Sequence, residues 1–127
     1  MDYTVSKKVD GEFDSVVEKT VDALEDAGFG VLSDIDVRAT FAKKLDEEFR
    51  QYRILGACNP GLARQGLDAD IELGALLPCN VVVYESDDDI VVSAVDPERL
   101  LGVADDPDLD AVAEDAADRF DRALGDL

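Results

Sequence analysis

Residues 79–85, "CNVVVYE", and residues 89–95, "DIVVSAV", are two runs dense in β-branched side chains. Such side chains are stiff at χ1 and pack well on a pleated surface. The acidic "SDDD" between them reads as a turn rather than a continuation. Together the two runs predict an antiparallel hairpin with a longer turn. A lone hairpin is marginal in water, so the rest of the chain must extend the sheet and cover it.

It has the patterns to do so. "YTVSKKV", residues 3–9, alternates Tyr3, Val5 and Val9 against Thr4, Ser6 and Lys8, as a strand with one buried face does. Residues 11–30 place Phe13, Val16 or Val17, Val21 and Leu24 at helical spacing, with Gly28 as the stop. "GVLSDIDV", residues 30–37, returns to alternation, with Val31, Ser33, Ile35 and Val37 on one side. A short helix follows, with Phe41 and Leu45 one turn apart. "FRQYRILGAC", residues 49–58, predicts a strand with Tyr52, Ile54, Gly56 and Cys58 on one face. Asn59-Pro60-Gly61 ends it. "LARQGLDADIELGALL" predicts one helix, weakened by Gly66. Asp96-Pro97 opens a short helix, and Asp106-Pro107 starts the closing one, where Leu109, Val112, Ala113, Ala116, Phe120 and Leu124 form an apolar stripe. The sum is an α+β fold: a largely antiparallel sheet of about five strands, with two long helices packed on one face.

With 127 residues, 46% of them hydrophobic, the chain suffices for one domain with a real core, residues 1–127. Its surface is another matter. The 22 Asp and 9 Glu stand against 5 Lys and 7 Arg, a net charge of −19. Such a field repels phosphate backbones and anionic membranes, which argues against nucleic-acid and membrane partners. Molar salt shrinks the Debye length to about 3 Å and screens the self-repulsion. An Asp-rich, Lys-poor surface on an ordinary core therefore points to a salt-filled, haloarchaeal-type cytoplasm. No stretch approaches the roughly 20 apolar residues of a membrane helix. The first residues lack the apolar core of a signal peptide, so a cytoplasmic location is expected.

Histidine and tryptophan are absent. Ser-His-Asp and Cys-His catalysis within one chain, and histidine metal ligation, are thereby excluded. No phosphate-binding glycine loop occurs, and no cofactor is implied. The two cysteines, Cys58 and Cys79, each precede an asparagine, Asn59 and Asn80, where strand meets loop. A thiolate needs a stabilising charge, for which Arg53, Arg64 and the start of the helix after Pro60 are candidates. Against a reactive pair stands the common fate of free cysteine as a small core residue. Two thiols also fall short of a tetrahedral zinc site, so no metal is assigned. Asn59, ahead of Pro60, is a natural turn former. Asn59 and Asn80 otherwise offer amides beside the thiols, and Tyr52 offers a phenol to the same pocket. Asp34 and Asp36, with Glu85 and Asp87–Asp89, have cation-ligand chemistry but read as a solvated face among so many acids.

"AGFGVLSDIDVRATF", "YRILGACNPGLA", "LLPCNVVVYE" and "VVSAVDPERLLG" together resemble the domain-of-unknown-function family 302, from about residue 3 to the C-terminus. The resemblance implies a small α+β domain that forms homodimers, with no established reaction. It marks Tyr52, Gly56, Cys58, Asn59, Pro60, Pro78, Cys79, Asn80, Asp96 and Pro97. The chain departs from many relatives in carrying Arg64 where they place a histidine. The leading expectation is a binding domain for a small ligand or protein partner, with its site at Tyr52, Cys58, Asn59, Cys79 and Asn80. The alternative is a thiol-dependent enzyme, or a redox or soft-metal protein, using Cys58 and Cys79.

Overall fold

The computed structural model describes residues 2–127. Five strands, β1 (Thr4–Val9), β2 (Gly30–Asp36), β3 (Tyr52–Cys58), β4 (Cys79–Ser86) and β5 (Asp89–Val95), form one antiparallel sheet in the order β1-β5-β4-β3-β2. The β4–β5 hairpin lies at its centre, as the two β-branched runs demand. Helices α1 (Phe13–Asp26), α2 (Val37–Leu45), α3 (Pro60–Ala69), α4 (Pro97–Gly102) and α5 (Asp110–Gly125) complete the α+β fold.

The main core lies between one sheet face and the long helices α1 and α5. Phe13, Val16, Val17 and Leu24 of α1 and Phe120 and Leu124 of α5 close over Leu55, Ala57, Val81, Val83, Val92 and Ala94. Phe29, just before β2, stacks on Phe120 with centroids 4.4 Å apart. A second cluster, with Leu62, Leu73, Leu101, Leu109, Val112 and Ala116, joins α3 and α4 to α5 beside the Cys58 end of β3. The opposite face, where Tyr52, Asn80, Tyr84 and Ser93 lie, is outside both core clusters.

Local chemistry sets the helix boundaries. Asn59 caps α3, accepting from the Leu62 N–H at 3.0 Å. Asp96 caps α4 in the same way, through the Glu98 N–H at 2.9 Å. The single helix expected after Pro60 is in fact two pieces. Asp70 leaves helical geometry (φ −149°, ψ 105°) and accepts from the Glu72 N–H, which starts a 3-10 segment at Ile71–Leu76. An Asp side chain competes with the helix for backbone donors, so the break falls there. The closing helix likewise begins as a 3-10 turn at Pro107–Leu109, capped by Asp106, before α5.

β2 departs from simple alternation. Val31 pairs with Ala57, but Ser33 pairs with Gly56, leaving Leu32 as an extra, bulged residue. Val31 therefore packs on the core while Ser33 and Ile35 turn to the open face. On β1, an edge strand, Val5 stays 42% exposed although it pairs with the buried Ala94.

Candidate functional site

The expected site residues fall into two groups at opposite ends of β3. Six residue steps, about 20 Å, separate Tyr52 from Cys58.

Cys58, Asn59 and Cys79 line a small cavity of about 30 Å³ walled by Phe29, Leu62 and Leu73. That volume admits roughly one or two waters. Cys79 faces the helices and is buried; Cys58 is half-buried. Burial raises both thiols, with the neighbouring Cys58 adding to the effect on Cys79, which is pushed up to about 11. Among the described residues no cation offsets this. Arg53 grips Asp34 through two hydrogen bonds, and Arg64 pairs with Asp68 on the surface. The start of α3 is also engaged, because the Asn59 amide oxygen takes the Leu62 N–H while its NH2 donates to the Gly28 carbonyl at 3.0 Å. Asn59 thus ties the start of α3 to the turn before β2. Burial thus favours the protonated form of both thiols, and the Asn59 amide is engaged through both its oxygen and its nitrogen.

Tyr52 and Asn80 lie on the open face. Asn80, Val82 and Tyr84 of β4 share that face with Tyr52 of β3 and Ser93 and Val95 of β5. They border a shallow concavity of about 720 Å³, rimmed by Tyr3, Phe49 and Arg50. Tyr52 pairs directly with Tyr84, and the rings stack at 5.5 Å and 15°. Phe49 continues the aromatic row at 6.2 Å from Tyr52, and Phe41 of α2 meets Phe49 edge-on at 5.1 Å. Burial raises the Tyr52 phenol, with Tyr84 and then Tyr3 adding to it, so its hydroxyl remains a donor at neutral pH. Ser6 and Ser93 share a 2.7 Å hydrogen bond across β1 and β5. The backbone of Gly56 is roofed by Ser33 and Pro78, which separates this concavity from the thiol end.

Tyr84, Phe49, Tyr3 and Ser93 were not among the residues the sequence singled out. Tyr84 had a signal, since it shares β4 parity with Asn80. That it stands opposite Tyr52 depends on register, which the sequence does not print.

The acidic groups have other employment. Asp34 binds Arg53, and Asp36 caps α2 through the Ala39 N–H at 2.9 Å. Glu85 accepts from the Gln51 N–H. Among the described residues, no three His, Cys, Asp or Glu converge as a metal site. No buried side-chain nitrogen or oxygen among them lacks a partner, so nothing polar waits unsatisfied in the interior. None of the described helices is long and apolar enough to cross a membrane.

These features define an α+β domain whose long helices α1 and α5 cover one face of a five-stranded antiparallel sheet. A solved structure shares the whole architecture. The uncharacterized conserved protein DUF302 from Bacillus stearothermophilus superposes with a TM-score of 0.92 over 99% of this chain and 98% of its own, at 27% identity. The chain belongs to the family described as Domain of unknown function DUF302, whose model matches residues 5–127. No curated protein matches the sequence.

Proposed function

We propose that this protein is a non-catalytic cytoplasmic binding domain that acts as a homodimer and takes a small ligand on the open sheet face. One observation carries the reading. Of the chain's 127 residues 31 are acidic, yet the concavity bordered by Tyr3, Phe49, Tyr52, Asn80, Tyr84 and Ser93 is lined by no carboxylate. The other broad surface depressions, one beside α4 and one at the β4–β5 turn, are lined largely by Asp and Glu. A surface kept free of acid in so acidic a chain is one where a carboxylate would interfere with contact.

The lining chemistry suits a flat, largely uncharged molecule. Tyrosine rings offer stacking area, no side-chain hydrogen bond among the described residues engages the Asn80 amide, and the volume falls within the roughly 300–1,000 Å³ of small-molecule sites. The thiol-dependent alternative lacks a stabilised thiolate, and the soft-metal alternative would have to ionise a thiol raised to about 11. A fragment screen by backbone-amide NMR at high salt tests the reading. Shifts should cluster on Asn80, Val82, Tyr84 and Ser93. Shifts confined to the Cys58–Cys79 end, or scattered over the surface, would sink it.

A further inference from the structure

Every tyrosine of the chain, Tyr3, Tyr52 and Tyr84, borders the open-face concavity. They come from three separate segments: the residue before β1, the start of β3, and β4. Their hydroxyls lie near one another, since Tyr84 and Tyr3 act on the Tyr52 phenol after burial has raised it. No side chain lining the concavity is acceptor-only. The hydroxyls and the Asn80 amide can all donate, and the one charged group, Arg50, can only donate. The lining therefore carries +1 in a chain of −19.

Arg50 is held in place by the fold without being neutralised by it. One terminal NH2 of its guanidinium donates to the Glu85 carbonyl at 3.1 Å. The Glu85 carboxylate is used elsewhere, accepting from the Gln51 N–H. Among the described residues no carboxylate pairs with Arg50, whereas Arg53, Arg64, Arg99 and Arg119 each have one. The guanidinium carbon stands 6.0 Å from the centre of the Phe49 ring, which steadies the group beside the aromatic row. In a chain with 31 acids, an arginine without one at the rim of a carboxylate-free concavity has its remaining donors open to a ligand.

Resting on the ligand reading above, we propose that the open face binds a flat aromatic monocarboxylic acid, its ring against the tyrosines and its carboxylate on Arg50. Charge matching selects this class. One guanidinium meets one carboxylate through two parallel hydrogen bonds of about 2.8 Å. A phosphate monoester brings about −1.5 to −2, of which a single arginine offsets only part. A cationic ligand would find no carboxylate in the lining, and a neutral ring would leave the remaining Arg50 donors to water. Salt does not undo the match. In molar KCl the Debye length is about 3 Å, so the negative body does not repel an anion at the rim, and a hydrogen-bonded contact pair lies within that length.

Backbone-amide NMR titration of the full chain at about pH 7 in about 1 M KCl tests this, with cinnamate and cinnamamide as separate probes. The two share a flat ring and differ in charge. Both should shift Asn80, Val82 and Tyr84, and the acid should bind at least about tenfold tighter. Arg50→Gln should abolish that preference and leave the amide's dissociation constant unchanged, which also reports an intact face. The hydrogen bond this variant loses is an exposed one. Arg50→Lys keeps the charge without the fork and should retain only part of the preference. Equal binding of acid and amide by wild type, or a preference that survives Arg50→Gln, overturns the acid and leaves the ligand reading standing. The same holds if neither probe binds while other fragments shift the open face. An open face silent to every fragment defeats both.

Discussion

Alkylation of the folded protein with iodoacetamide, followed across pH by mass spectrometry, should find Cys79 slow and without a plateau near neutrality. Its thiol is pushed from 9.0 to about 11 by burial and by Cys58. At pH 8 a thiol titrating near 9 is ionised about one part in ten and one near 11 about one part in a thousand, a hundredfold deficit. A more basic thiolate is intrinsically more nucleophilic, which returns about tenfold over two units. Ionisation alone therefore leaves Cys79 about tenfold slower than an ordinary thiol. Access slows it further, because the side chain is 7% exposed behind Leu62 and Leu73 and must wait for local opening. Cys58, half-buried and less perturbed, should label first. For both, the logarithm of the rate should rise with pH through 8 and beyond. A plateau below pH 8 at either cysteine would reveal a stabilised thiolate and refute this account of the thiol end.

The raised Cys79 thiol also sets an alkaline limit. Its stabilising contribution is complete below its unfolded value near 9 and is lost as pH rises to about 11, at most about 2–3 kcal/mol, so urea midpoints should fall more steeply across that window in wild type than in Cys79→Ala. Asn59→Ala removes the α3 cap and the tie to Gly28, and should lower unfolding free energy by about 1–2 kcal/mol in chemical denaturation. Gly56→Ala would drive a methyl into the Ser33 hydroxyl and within 2.8 Å of Pro78 Cγ, which should cost about 1–3 kcal/mol and show as a lower Tm. With a net charge of −19, Tm should also fall on dilution from molar salt to about 0.1 M, where screening lengthens from about 3 to about 10 Å; a Tm indifferent to salt would remove the case for salt adaptation.

Much of this molecule was legible because its signals are local. The β-branched runs around Asp87 and Asp88 specified the central hairpin, and the apolar stripes of α1 and α5 specified the two long helices. Asn59, Asp96 and Asp106 announced helix starts that the structure places within a residue or two, since a cap needs only its own next few N–H groups. Asp70 carried the same chemistry and was hidden inside an otherwise helical pattern.

The candidate site depended on relations that no local pattern contains. The sequence set Tyr52 and Cys58 on one strand and Asn80 beside Cys79 on another. It could not say that the thiol end would lie beside α3, α4 and α5 while Tyr52 opened onto the other face of the sheet. Adjacent residues of a strand face opposite ways, so Asn80 and Cys79, neighbours in sequence, belong to different surfaces. One bulged residue, Leu32, was enough to move Val31 and Ser33 to opposite faces of β2. Periodicity, capping and charge composition are properties of short segments and were settled by the amino-acid order itself. Which face is covered, which tyrosines meet and which helix stays exposed are settled by strand order and register, where residues far apart in the chain compete for the same buried area.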